Sequence, residues 1–176
     1  MIGIEALAAY IPPHGLYTTE VAKEFGKDSS FLENRIGTSY LPQLLSPTAT
    51  VEMAIAACEN LFEKTGIDAA EVELLVLVTQ NPDSGGLPHN SALVHKALGL
   101  GPLAQTFDIG LGCSGWVQAT SIVTALMAAK RMRNGILVTS DPYSKILGNG
   151  NSTTSLLFGD GATATLLSTS PRWVEV

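Results

Sequence analysis

Three short runs constrain this chain more than anything else in it. "VELLVLVTQ" (72–80), "AQTFDIG" (104–110) and "GILVTSD" (135–141) are strand-like, and the first and third are continuously apolar. A strand without polar alternation is buried on both faces, and such strands belong to sheets covered by helices on either side. The segments between them have helical character. Gly115 to Met132 is mostly apolar, and Ser91 to Leu98 carries Asn90 as a candidate cap and is closed by Gly99 and Gly101. The run Thr48 to Gly66 places Val51, Ala54, Ile55, Cys58, Leu61 and Phe62 on one helical face, with Gly66 as its stop. Strands and helices that alternate in this way predict an α/β layered domain with a largely parallel sheet.

The flanks add detail. "IGIEALAAYI" reads as a strand stopped by Pro12-Pro13. "TTEVAKEFG" and "SSFLENRIG" read as short helices, and "NPDSGGLPHN" as a loop. The basic residues Lys130, Arg131 and Arg133 suit the C-terminal end of a helix dipole. "NSTTSLLFGDGATATLLST" reads as two strand-like runs broken at Gly159-Asp160-Gly161, the last pairing antiparallel.

Composition narrows the class. With 176 residues, 45% hydrophobic and only 15% charged, the chain supports one domain with a sizeable core and spare apolar surface for a subunit interface. A net charge of −6 without a Lys/Arg-rich run argues against nucleic acid or an anionic membrane as partner. No apolar segment has membrane-spanning length, and "MIGIEALAAY" lacks the basic start of a signal peptide. The expected location is cytoplasmic. Two cysteines and three scattered histidines give neither a disulfide framework nor metal-ligand spacing.

One motif carries chemistry. In "DIGLGCSGW" (108–116), Gly110, Gly112 and Gly115 satisfy G-x-G-x-x-G, and the fourth position of that run is Cys113. Strand, tight turn and helix are the setting of a dinucleotide cradle. The acidic residue such a cradle needs is misplaced, since Asp141 stands too far beyond Gly115, and too little chain follows for a second mononucleotide half. A cysteine there has its own logic. A helix N-terminus favours the thiolate, and its unpaired N–H groups can hold an oxyanion. A third reading is a small side chain filling space between glycines. Cys58, in mid-helix on an apolar face, reads as packing.

The segment "FDIGLGCSGW" resembles the strand, nucleophile cysteine and buried helix of thiolase-fold condensing enzymes, nearest to β-ketoacyl-acyl-carrier-protein synthase III. "FLENRIG" is similar to that family's Trp-Ile-x-x-Arg-Thr-Gly motif. "LLVLVTQNPDSGGLPHNSALVHKALG" resembles its second-strand region, "GILVTSD" the strand after the nucleophile helix, and "LLFGDGATATLL" its Phe-Gly-Asp-Gly-Ala signature. The resemblance implies an N-terminal thiolase-like half over residues 1–176, the C-terminal half being absent. It implies a five-stranded, mixed, mostly parallel sheet covered by helices, with a buried nucleophile-bearing helix.

It also implies an acyltransferase. The Cys113 thiolate takes an acyl group from a thioester, and decarboxylative condensation with a malonyl thioester follows. Substrate-binding residues would be Arg35, near a coenzyme A entrance, with Phe31 and Leu87. The expected partners are an acyl carrier protein and a second protomer or chain supplying the missing half. No metal or redox cofactor is implied, only acyl-CoA or acyl-carrier-protein thioesters as substrates. His14, His89 and His95 do not match the family's second-half histidine, so this polypeptide is not expected to complete the condensation alone. The alternative class is a non-catalytic half that stabilises a partner.

Departures from the pattern bear on substrate. Phe31 stands where tryptophan is frequent, and Asn151-Ser152-Thr153-Thr154 where Asp-Arg-x-Thr is usual. The stretch Thr38 to Ser46 lacks the family's arginines. Losing a planar cation weighs against coenzyme A as donor and toward a carrier protein or another thioester. Leu87, in place of phenylalanine, points to a longer or branched acyl group.

Overall fold

The computed structural model describes residues 1–147, 152–171 and 174–175. Its main sheet has the order β5-β4-β6-β7-β1-β8. The strands are β1 (Gly3–Tyr10), β4 (Leu74–Val78), β5 (Gln105–Ile109), β6 (Asn134–Asp141), β7 (Gly161–Ser168) and the two-residue β8 (Val174–Glu175). Strand β4 pairs parallel with both β5 and β6, while β7 runs antiparallel to β6 and β1. Four of the five long strands therefore point the same way, and β7 alone is reversed among them. The expected five-stranded mixed sheet is present, extended at one edge by β8. Strands β2 (Gly15–Tyr17) and β3 (Tyr40–Pro42) form a second, two-stranded sheet. They are too short to give a periodic signal in the sequence.

The side-chain period of two in β4 explains the layering. Leu75 and Leu77 join Met53, Ala54, Ala57, Cys58 and Leu61 of α3 (Ala49–Thr65) in one core. Leu74, Val76 and Val78 point the other way and pack on Ala119, Val123 and Met127 of α5 (Gly115–Lys130). All five residues of β4 are buried, because successive side chains feed opposite layers. Helix α3 ends at Gly66, whose φ of 71° permits the left-handed closing turn and whose N–H donates to the Phe62 carbonyl at 2.8 Å. The short helices α1 (Thr18–Glu24) and α2 (Ser29–Phe31), the latter running into a wide turn over Leu32–Ile36, sit on a third, smaller core of Val21, Ala22, Leu32, Leu41 and Leu156.

Three local expectations need correction. Asn90 is the first residue of α4 (Asn90–Leu98) and does not cap it with its side chain. The cap is the Asp108 carboxylate, which accepts from the N–H groups of Asn90 at 2.7 Å and Ser91 at 2.8 Å. Asn90 instead bonds to the backbone of Asp83. The run before Gly159 is not a strand: α6 (Ser152–Ser155) and a turn occupy it, anchored by fully buried Leu156. Helix α5 is not buried all round. One face packs on the sheet, while Val117 is 61% and Ile122 44% exposed on the other. The outer face mixes Val117 and Ile122 with Gln118 and Ser121, and among the described residues it stays exposed.

Truncating Leu77, fully buried between β4's neighbours and α3, should leave a cavity. Leu77→Ala is expected to lower unfolding free energy by ~2–5 kcal/mol in urea titrations. A change below about half a kcal/mol would show that this layer repacks freely.

Candidate active site

The chain leaves β4 through α4 on one face to reach β5, then returns through α5 on the other face to reach β6 on β4's opposite side. The direction of winding reverses at β4. Open α/β sheets bind ligands beyond the carboxyl ends of their strands at such a switch point. Two segments emerge there: Thr79-Gln80-Asn81 after β4, and Gly110-Leu111-Gly112-Cys113 after β5. Cys113 thus sits where the topology leaves a crevice.

Its immediate geometry is a tight turn. The N–H of Gly115 donates to the Gly112 carbonyl at 2.7 Å, and α5 begins at Gly115 directly after Ser114. Cys113 is exposed, and Cys58 is fully buried in α3. Burial, with a smaller contribution from the Glu59 charge, pushes the Cys58 thiol up to about 12. The two cysteines therefore differ in exposure.

Of the glycines around Cys113, Gly115 is required by contact. A Cβ on Gly115 would meet Val78 Cγ1 at 2.5 Å, so the glycine lets α5 approach β4. A Cβ on Gly112 would meet the Gln80 amide, at 2.6 Å from Oε1. The space that a cradle would offer a pyrophosphate above Gly112 is filled by that side chain.

Three carboxylates organise this end of the sheet. Asp108 caps α4, as described above. Asp141, at the end of β6, accepts at Oδ1 from Thr79 Oγ1 (3.0 Å), the Gln80 N–H (2.9 Å) and Asn81 Nδ2 (3.0 Å), which ties the β4 and β6 exits together. Burial raises the Asp141 carboxyl above its ordinary range against the pull of these hydrogen bonds. Asp160, of the Phe-Gly-Asp-Gly segment, accepts from the Leu44 N–H (2.8 Å), the Ser144 N–H (2.7 Å) and Ser144 Oγ (2.6 Å). It fixes the loop that follows β6. That loop carries Tyr143, whose hydroxyl donates to Gln80 Oε1 at 2.7 Å and whose ring stacks on Phe158 at 4.9 Å.

The other residues singled out in the sequence lie elsewhere. Phe31 and Arg35 line a cleft of about 460 Å³ with Lys27 and Asn34, and the Lys27 ammonium sits 4.9 Å from the Phe31 ring centroid. Gln80, Tyr143 and Phe158 are not among the residues that line that cleft. Leu87 is 77% exposed at the tip of the loop after β4. His95 Nε2 bonds to the Gly101 carbonyl at 3.1 Å, a local structural contact. Asn151 lies outside the described residues. Among the described residues, no group of three or more His, Cys, Asp or Glu side chains is placed to hold a metal ion, and no helix is long and apolar enough to cross a membrane.

Sequence reasoning missed Gln80, Tyr143 and Phe158. The available signal was positional: Gln80 and Tyr143 are the polar residues just past apolar strands that end at the switch point.

A sequence profile described as 3-oxoacyl-[acyl-carrier-protein (ACP)] synthase III matches residues 107–175. A β-ketoacyl-[acyl-carrier-protein] synthase III of Rhodospirillum rubrum is 32% identical over 168 residues, covering 96% of this chain and 52% of that protein. The chain is similar to this synthase over nearly all of its own length. It superposes on a crystal structure of 3-oxoacyl-(acyl-carrier-protein) synthase III with a TM-score of 0.91 and 27% identity, covering 99% of this chain and 52% of that one. The synthase III structure from Pseudomonas aeruginosa gives 0.88 and 26%, covering 99% and 53%. The chain spans about half the length of the relatives it matches.

Two measurements check this site. Because its raised pKa keeps the Cys58 thiol protonated below about 12, iodoacetamide at pH 8 should label Cys113 and leave Cys58 untouched until urea unfolds the chain. Peptide mapping that finds both labelled at similar rates in the folded chain would contradict the assignment. Asp160→Asn leaves an N–H opposed to an N–H at Leu44 or Ser144, so unfolding free energy should drop by ~1–3 kcal/mol, with faster amide exchange at those two residues.

Proposed function

We propose that this chain is the N-terminal, nucleophile-bearing half of a β-ketoacyl synthase III-type acyltransferase. The observation that carries the reading is an exposed Cys113 at the β5 exit, beside the N-terminus of α5, in a chain similar to synthases of that name. Partial positive charge at a helix N-terminus favours a thiolate beside it.

The Cys113 sulfur attacks the carbonyl carbon of an acyl thioester. The carbonyl electrons move onto oxygen, where the backbone N–H of Cys113 can donate. Collapse of this adduct expels the donor's thiolate, which takes up a proton, and leaves an acyl-cysteine. A malonyl thioester then loses carbon dioxide, and its carbanion attacks the acyl carbon. The new carbon–carbon bond gives a β-ketoacyl thioester and returns the Cys113 thiolate.

The cleft of Lys27, Phe31 and Arg35 would take the head of the thioester donor, with an acyl carrier protein as the expected macromolecular partner. Leu87, projecting from its loop, would reach a second protomer. The exposed Val117 and Ile122 on the outer face of α5 support a covering partner: the C-terminal half, whether on the same polypeptide or another chain. That half would complete the groups needed for the malonyl step. The enzyme would work in the cytoplasm.

Intact-protein mass spectrometry after incubation with acyl-coenzyme A and acyl-pantetheine thioesters tests the first step. The expected result is a stable gain of one acyl group, retained in Cys58→Ala and lost in Cys113→Ala. A gain that persists in Cys113→Ala, or no gain with any thioester, would favour a purely structural half.

A further inference from the structure

The wall beside Cys113 is polar, and its polarity is held in place. Gln80 follows the last residues of β4, and its amide lies against Gly112, with Oε1, Cδ and Nε2 at 2.6, 2.7 and 2.9 Å from where a Cβ would stand. The amide occupies the space where a side chain at 112 would stand. The Gln80 backbone is pinned by the Asp141 carboxylate, and its Oε1 accepts from Tyr143. Tyr143 is in turn held by its stack on Phe158 and by Asp160, which grips the adjacent Ser144. The Tyr143 phenol stays a donor through neutral pH, since burial, then the Asp141 charge, then the Cys113 charge raise it above its ordinary range.

These contacts fix the oxygen end of the Gln80 amide. The nitrogen end carries two N–H donors, and among the described residues nothing accepts from them. A hydrogen bond accepted at the carbonyl polarises an amide and strengthens its N–H groups as donors. Cys113 follows Gly112 directly, and the Gln80 nitrogen lies 2.9 Å from the Cβ position of that glycine, so these donors stand beside the residue that would carry an acyl group.

Building on the acyltransferase reading, we infer that Gln80, positioned by Tyr143, is a specificity determinant that hydrogen-bonds an oxygen on the Cys113-bound acyl group. The preferred donor is then a thioester whose acyl chain bears a hydroxyl or carbonyl close to the thioester, rather than a plain alkyl group. An alkyl chain covering these donors leaves them desolvated and unpaired. A site built to hydrogen-bond its substrate rejects the analogue that lacks the partner.

The test compares two probes of nearly equal shape, 3-hydroxybutanoyl- and 3-methylbutanoyl-pantetheine, which exchange a hydroxyl for a methyl. Acylation of Cys113 is followed by intact mass on the full chain with any chain that co-purifies. The 3-hydroxybutanoyl group should load ~10-fold faster, the discrimination expected from one donor left unpaired once an alkyl chain covers it. Gln80 is exposed in the chain, so Gln80→Leu should fold; it should bring the ratio to about one, by slowing 3-hydroxybutanoyl loading and speeding 3-methylbutanoyl loading. Tyr143→Phe, which removes the anchor and keeps the ring, should reduce the ratio part of the way. A wild-type ratio of one or less, or a ratio unchanged in Gln80→Leu, would overturn the role of Gln80 while leaving the acyltransferase reading intact. If neither probe loads Cys113, that reading fails and this inference falls with it.

Discussion

Burial of β4 on both faces and along both edges is the constraint from which the rest of the structure follows. Leu74 to Val78 present five apolar side chains in succession. Alternate side chains point to opposite sides, so two helical layers are needed to cover them. A buried strand also requires hydrogen-bonded neighbours on each edge, which β5 and β6 provide. Right-handed crossovers that advance in opposite directions along a sheet, here β4 to β5 and then β5 to β6, must pass over opposite faces. That places α4 on the α3 side, α5 on the other, and a switch point at the exit of β4. The position of Cys113 is a consequence of the same geometry.

What the switch point supplies in location, three carboxylates supply in order. Loops at the ends of strands carry backbone N–H groups that the sheet does not satisfy. Asp108, Asp141 and Asp160 accept from these groups and convert loops into fixed walls. Each acts between segments distant in sequence: Asp160 joins the stretch after β3 to the loop after β6, and Asp141 joins the exits of β4 and β6. The Gln80–Tyr143–Phe158 cluster owes its placement to these ties. The Phe-Gly-Asp-Gly segment, recognisable in the sequence, therefore acts on the site indirectly, by holding Ser144 beside Tyr143.

The unpartnered face of α5 links architecture to function. Sequence reasoning read the helix as buried between layers because its hydrophobicity does not segregate to one side. The fold supplies only one of the two layers, through Val78, Leu137 and their neighbours. Among the described residues, the outer side of α5 therefore leaves Val117 and Ile122 exposed.

Much was legible from local pattern. The run from Thr48 to Gly66, the continuous strands and the contrast between Cys58 and Cys113 were fixed by periodicity, glycine stops and the chemistry of neighbouring residues, all of which act within a few turns of chain. The helix cap on α4 was misassigned because its true donor-acceptor pair spans Asn90 and Asp108, and the run before Gly159 was misread because Leu156 is held by the small third core rather than by a sheet. Likewise, no local signal brings Gln80, Tyr143 and Phe158 together. The sequence by itself determined the layers, the buried strands and the setting of Cys113 at the start of a helix, since these depend on spacing along one segment. Only the tertiary structure decided which side chains surround that cysteine, because they arrive from strand exits far apart in the chain and meet through carboxylates that no periodicity reveals.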